Sequence, residues 1–175
     1  MRKIALLLVV AAVVCLSAST GYAQYEKGKS FLGPRLGIGA HGSGIVLGGG
    51  YEYGVTDVIS VGGLVDYYTW STTGWGIYGG KYTYIIVGAQ GNYHFGKALK
   101  WDNKIDPFAG LVLGYEHVSW SWDKDPGSIL WSASASGIIL GGQAGIRYFM
   151  TPKVALYGQG GFGITFLKAG VDFKF

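Results

Sequence analysis

The chain has 175 residues, and it is short of cysteine, of charge and, beyond Ala23, of any long apolar run or helical apolar period. Each shortage excludes something. The single cysteine, Cys15, lies in a segment expected to be removed on export. The mature chain is therefore expected to hold no disulfide, no thiolate metal site and no cysteine nucleophile. Charged residues make up only 14% of the chain. Arg2 and Lys3 leave with the exported segment, so 12 of the 14 basic residues remain against 10 acidic ones and the net charge drops from +4 to +2. The remaining lysines are scattered, which leaves no basic stripe for nucleic acid.

The segment in question is residues 1–23. Arg2-Lys3 opens it, Ile4 to Cys15 is apolar, and Gly21-Tyr22-Ala23 supplies a small-x-small cleavage site before Gln24. This is the pattern of a secretory signal peptide, which takes no part in the fold. A membrane anchor would need a longer apolar run, and nothing after Ala23 extends this one. A lipoprotein would need a small residue where Val14 precedes Cys15.

What is abundant is glycine, 32 of 175 residues, together with aromatics at 15%. The rest of the chain reads as eight runs of period-two alternation broken by turn residues. They cover Phe31 to Ala40, Ile45 to Val55, Val58 to Trp70, Tyr82 to Phe95, Pro107 to Trp120, Ala133 to Phe149, Lys153 to Gly161, and the closing stretch to Phe175. In the fourth run Ile85, Val87, Ala89, Tyr93 and Phe95 alternate with Tyr84, Gly88, Gln90, Asn92 and His94.

The two faces differ in kind. One is continuously apolar. The other mixes glycine with few charges, too few for a solvated exterior. Apolar side chains facing lipid and polar ones facing a lumen satisfy both, and closure into a barrel pairs every backbone group, as hydrocarbon demands. Runs of this length suit tilted strands that cross a bilayer, and inward glycines make room in a narrow barrel. The expected fold is all-β: an eight-stranded antiparallel transmembrane β-barrel, residues 24–175, preceded by a cleavable signal peptide. An even strand count places both ends on the periplasmic side, with tight turns at Thr56-Asp57 and Met150-Thr151-Pro152. The longer loops, Ser71–Gly80 and Ser121–Ser132, then lie outside. The periplasmic link Gly96–Asp106 is unusually long for such a barrel, and its role is open.

The final stretch, Lys168-Ala169-Gly170-Val171-Asp172-Phe173-Lys174-Phe175, alternates and stops on an aromatic. Through Lys168, Gly170, Phe173 and Phe175 it resembles the C-terminal insertion signal of bacterial outer-membrane barrels. In architecture and in this motif the chain is similar to the small barrel families of outer-membrane protein X and the membrane domain of outer-membrane protein A. The resemblance implies the Gram-negative outer membrane as location, and as partners outer-membrane lipid, lipopolysaccharide and the barrel assembly machinery. It implies neither nucleic acid nor a cofactor, and favours a monomer.

Inward positions offer Arg35, Glu52, Asp66, Gln90, His94, Glu116, Gln143, Arg147, Lys168, Asp172 and Lys174, with Gln159 beside them. Charges kept from bulk water need partners, so these residues are expected to form a polar network that plugs the lumen, in preference to lining a small porin-like channel. Trp70, Trp75, Trp120, Trp122 and Trp131 fall at or within the two long outer loops. An interfacial aromatic belt is the plainer reading; a ligand or adhesion patch on Trp75 and Trp131 is the sharper one.

Catalysis finds little support. His117 and Ser119 share a strand face and resemble the His–Ser pair of lipid A deacylases, but Trp120 stands where that family has Asn, and no orienting acid faces them. Gly37 to Gly42 fits G-x-G-x-x-G without a following helix to receive phosphate, and His41, His94 and His117 lack metal-ligand spacing. The chain is expected not to be an enzyme and to bind no metal. A soluble lipocalin-like barrel with an apolar interior remains the alternative of a different class.

Overall fold

The computed structural model describes residues 25–39, 44–72, 80–122 and 134–175. The expected signal peptide lies outside them, as do His41, Trp75 and Trp131. Eight strands follow one another: β1 (Ser30–Gly39), β2 (Ile45–Gly54), β3 (Ile59–Thr72), β4 (Gly80–His94), β5 (Ile105–Trp122), β6 (Ser134–Thr151), β7 (Val154–Phe162) and β8 (Thr165–Lys174). A one-turn helix, α1 (Gly96–Leu99), lies between β4 and β5. Each strand pairs antiparallel with its neighbours in sequence, and β8 pairs with β1 to close the barrel. At the seam Ser30 and Phe175 exchange backbone hydrogen bonds of 2.9 and 3.0 Å. No helix among the described residues is long and apolar enough to cross a membrane.

The register sets the shape. Following partners from Ser136 through His117, Ile85, Tyr67, Leu47, Leu36, Ala169 and Gly158, the path re-enters β6 at Ile146, ten residues from its start. With eight strands this stagger requires a tilt of about 40° and leaves an interior just wide enough for side chains.

Alternation has the expected orientation. Leu111, Leu140, Val87 and Ile45 are 64%, 67%, 55% and 77% exposed, whereas Arg147, Glu52 and Asp172 are fully buried. A soluble barrel would show the reverse. Inward glycines are there because larger residues cannot fit: a Cβ on Gly50 would run into the Arg35 guanidinium. Gly163, at φ +87° in the tight β7–β8 turn, occupies backbone space that other residues rarely enter. The two tight turns at the end of the barrel that carries Tyr25 and Phe175, the expected periplasmic end, share one device. Thr56 Oγ1 accepts the N–H groups of Val58 and Ile59 (3.2 and 2.9 Å), and Thr151 Oγ1 accepts those of Lys153 and Val154 (3.3 and 3.1 Å).

The wall of the barrel is uneven. β3 to β6 run 14 to 18 residues, whereas β7, β8, β1 and β2 run 9 or 10. About 9–11 tilted residues cross the hydrocarbon, so the surplus rises past the outer interface as a projecting sheet. This corrects the expected loop limits. Ser71, Thr72, Gly80, Ser121 and Trp122 belong to strands, because pairing continues to Thr72↔Gly80 and Gly80↔Trp122. Their polar, Thr- and Ser-rich character reads as loop only if a strand is assumed to end with its apolar face. β5 likewise starts two residues early, at Ile105, and takes Asp106 out of the link.

Candidate functional site

Because side chains alternate, the inward positions of eight strands converge on one axis, and the stagger decides which of them meet. Three layers result.

At the periplasmic end the centre is Arg147 of β6, wholly buried. Its Nε donates to Asp172 Oδ2 at 2.7 Å, Nη2 to Glu52, and Nη1 to Asp106 Oδ2 at 3.4 Å. One guanidinium therefore ties β6 to β8, β2 and β5. Its carbon lies 4.8 and 5.0 Å from the ring centres of Phe31 and Phe108. Arg35 lies over the Tyr157 ring at 3.9 Å and pairs with Asp172 at 3.5 Å. Beside them runs a chain of hydrogen bonds. Ser60 Oγ donates to Glu52 Oε2 at 2.6 Å and lies 2.9 Å from His94 Nε2; His94 Nδ1 is 2.9 Å from Asp106 Oδ2. Since the hydroxyl proton goes to Glu52, the Ser60 oxygen is left to accept from the imidazole.

Ser60, His94 and Asp106 thus have the residue order of a hydrolytic triad without the surroundings of one. All three are 0–2% exposed. The Tyr25 ring stacks on His94 at 3.6 Å and 4°, and Phe108 lies 6.0 Å away on another side, so no substrate reaches the serine. Tyr25 is held in place by its hydroxyl, which donates to the carbonyl oxygens of Ile59 at 2.6 Å and Thr56 at 3.1 Å. Burial, with the Glu52 and Asp106 carboxylates next, pushes that hydroxyl above the ordinary tyrosine range.

The middle layer is neutral apart from one ion pair. Lys168 Nζ donates to Asp66 Oδ2 at 2.5 Å, with Thr165 Oγ1 donating to the same oxygen at 3.3 Å. Gln159 Nε2 donates to Gln143 Oε1 at 2.8 Å, and Gln143 Nε2 to Asn92 Oδ1 at 2.7 Å. A cavity of about 10 Å³, lined by Leu64, Val112, Gln159, Ile164 and Lys168 among others, lies here. That is room for about one water.

The outer layer is apolar: Val46, Leu64, Tyr68, Tyr84, Ile86, Val112 and Ile164, with Tyr82, Val118 and Ile139 packed against them. Tyr68 and Tyr84 stack at 4.4 Å. Above them Trp70 stacks on Tyr82 at 5.6 Å, and Tyr82 packs on Trp120 at 4.2 Å.

Several expectations are redrawn by this arrangement. Arg35, Glu52, His94, Arg147 and Asp172 meet in one cluster; Asp66 and Lys168 form a separate pair; Gln90, Gln143 and Gln159 join the middle layer, with Gln143 Nε2 3.3 Å from Gln90 Oε1. Lys174 lies at the rim and pairs with Glu26 at 3.2 Å. Glu116 faces inward but sits higher, half-buried on the aromatic side, and forms no ion pair among the described residues. Trp70 and Trp120 share a strand face with Tyr68 and Tyr84, so they cap the lumen instead of facing lipid as a belt. Residues outside the expected lumen set complete it: Ser60, Asp106 and Tyr25 join the ionic cluster, and Asn92 joins the middle layer. Asn92 already alternates inward in the fourth run, whereas Asp106 is hidden in the apparent link and Tyr25 precedes the first alternating run. His117 Nδ1 lies 2.9 Å from Ser136 Oγ across on β6, so its near partner is a second serine. No metal-holding group of His, Cys, Asp or Glu occurs among the described residues.

At the periplasmic surface Lys97 and Asp57 pair at 3.2 Å and link two connections. The hydrogen bond and charge of Lys97 hold the exposed Asp57 carboxyl below its usual range.

No protein-family model and no curated protein matches the chain. Solved structures do. OprG of Pseudomonas aeruginosa is 13% identical with a TM-score of 0.64, covering 89% of this chain and 99% of its own. Ail, the attachment invasion locus protein of Yersinia pestis, is 15% identical with a TM-score of 0.58, covering 85% and 99%. The N-terminal β-barrel domain of P. aeruginosa OprF is 16% identical with a TM-score of 0.54, covering 85% and 98%. At such identities the likeness is one of fold, and it agrees with the exposed apolar wall and the enclosed ionic axis. The chain therefore has the fold of the small eight-stranded outer-membrane β-barrels, with an apolar outer wall and an ionic axis.

Proposed function

We propose that the protein is a closed barrel whose lumen, filled by its own side chains, conducts no ions, and whose role is structural or one of surface interaction at its outer end. The observation that supports this reading most strongly is Arg147, fully buried and held by carboxylates from three other strands. A conducting pore would keep such a charge beside water. Here its solvation is replaced by Glu52, Asp106 and Asp172, and releasing it would leave unpaired charges in the interior.

The projecting sheet supports the outward role. From Ser134 to Ile139, β6 pairs with β5 alone among the described residues. Backbone donors and acceptors on its other side are available to an extended segment of a partner. One structure with this fold, Ail, is named for attachment and invasion, a role in keeping with such a surface. The Trp75 and Trp131 patch stays part of this proposal. The C-terminal strand, with Lys168 and Gly170 inward or level with the sheet and Phe173 and Phe175 on the lipid face, is proposed to be read by the assembly machinery. No enzymatic activity is proposed.

Planar-bilayer recording on the refolded chain tests the reading. It expects no steady conductance. A steady conductance abolished by substitutions at lumen positions would overturn it in favour of a small channel.

A further inference from the structure

The β4–β5 connection is far longer than a barrel turn requires, and its composition is uneven. β2–β3 and β6–β7 close through tight threonine-braced turns, whereas residues 95–104 make an excursion through α1. Leu99 N–H donates to the Phe95 oxygen at 2.9 Å, which sets these two side chains one helical turn apart on a common face. Phe95, Leu99 and Trp101 are 36%, 50% and 46% exposed. The Phe95 ring packs edge-on against Tyr93 at 4.8 Å, and Tyr93 is a lipid-facing residue of β4. The apolar surface of the wall therefore continues through Phe95 and Leu99 onto the connection, with exposed Trp101 two residues further on.

Charge changes at the same place. Lys97, Lys100 and Lys104 are exposed on this segment, with Lys97 also paired to the exposed Asp57 of the β2–β3 turn at 3.2 Å. Lys100 is in the left-handed conformation, φ 52°, which ends the helix and turns the chain. Asp102, the acidic residue of the segment, is engaged: its Oδ1 accepts the Lys104 N–H at 2.9 Å. Lys153 and Lys29 are exposed at the same end of the barrel. An aromatic and aliphatic face continuous with the membrane surface, rimmed by lysines, has the composition of an interfacial anchor.

We infer that the Phe95–Lys104 connection is a membrane foot that seats Phe95, Leu99 and Trp101 in the periplasm-facing leaflet and binds the phosphate of anionic phospholipid headgroups through Lys97, Lys100 and Lys104. The occupant is the bilayer already surrounding the barrel, because the apolar face is an extension of the lipid-facing wall. The inference rests on the membrane orientation and is independent of whether the lumen conducts. The lysines recognise charge, so selection should weaken with salt, while the seating of Trp101 should not.

Reconstitution of the full chain in phosphatidylcholine vesicles, with spin-labelled phosphatidylglycerol or phosphatidylcholine as probe, reads the selection directly. The parent should prefer the anionic probe by about threefold or more at low salt. The triple variant Lys97→Gln, Lys100→Gln, Lys104→Gln should lose that preference, and Lys81→Gln, at the outer end, should keep it. A parent without preference, or a triple variant that retains it, overturns the inference. The apolar half has its own readout. Brominated phosphatidylcholine should quench a fraction of tryptophan emission that disappears in Trp101→Phe; an unchanged quenched fraction in that variant removes the foot from the membrane. The Lys97, Lys100, Lys104 and Trp101 substitutions lie outside the strands and Lys81 at the outer end of β4, and the electrophoretic mobility of the folded barrel verifies each variant.

Discussion

The two ends of the lumen solve one problem by opposite means. The outer end is filled as a soluble core is filled, by Tyr68, Tyr84, Ile86 and Val112 in contact. The periplasmic end is filled by ions, with Arg147 and Arg35 set among Glu52, Asp106 and Asp172, and His94 between two of those carboxylates. An apolar fill tolerates loss gradually, since a deleted methyl group leaves a gap whose cost scales with its size. An ionic fill does not, since each partner removed exposes the others unpaired. The ionic end should therefore be the stiffer specification of the closed barrel, and the apolar end the more adaptable one.

The comparison can be broken most forcefully at its ionic centre. Arg147→Ala should destabilise the barrel by about 3–5 kcal/mol, read by reversible urea unfolding in lipid vesicles; a loss under about 1 kcal/mol would show that the cluster is solvated after all. Ile86→Ala, the counterpart in the apolar end, should cost about 3 kcal/mol by the same titration and leave the folded barrel's electrophoretic shift intact. The middle layer sharpens the contrast. Lys168→Met alone should cost about 2 kcal/mol by leaving Asp66 with only its Thr165 hydrogen bond. Adding Asp66→Asn should recover most of that loss, because a buried pair replaced together need not be destabilising. The smallest effect belongs to Asp57→Asn at the exposed periplasmic surface. The Asp57 carboxyl is held low in the folded state, so its contribution is present above the ordinary carboxylate range and lost as pH falls through it. Solvent screens the pair, so neutral-pH stability should be unchanged within error and only the acid side of a pH titration should flatten.

Much of this molecule was legible in its sequence because a barrel wall is one strand thick. Parity alone assigns each residue to lipid or lumen, which is why Arg35, Glu52, Asp66 and Arg147 read as inward from the sequence. Height along the axis is another matter. Glu52 and Glu116 have the same local pattern, an acid after an inward glycine and an outward tyrosine, yet the stagger carries one to the ionic cluster and the other to the aromatic end. Parity applied to Trp70 and Trp120 also points inward, but their nearness to polar, loop-like sequence masks it; the pairing of Trp70 with Tyr82 and of Tyr82 with Trp120 shows the strands continuing. Asp106 was concealed by its setting, a polar residue before Pro107 at the end of a charged link. Tyr25 has no periodic neighbours at all, and only the folded barrel brings its ring to His94.

The central claim is that apolar side chains meet lipid while the ionic axis is sealed from water. Solid-state NMR of the unmodified, isotopically labelled chain in bilayers tests it directly. Polarisation transfer from acyl-chain protons should reach Leu111, Leu140 and Val87, and transfer from water should be weak or absent at the Arg147 guanidinium. Rapid water transfer to Arg147, or acyl-chain transfer missing from those three side chains, would contradict the account.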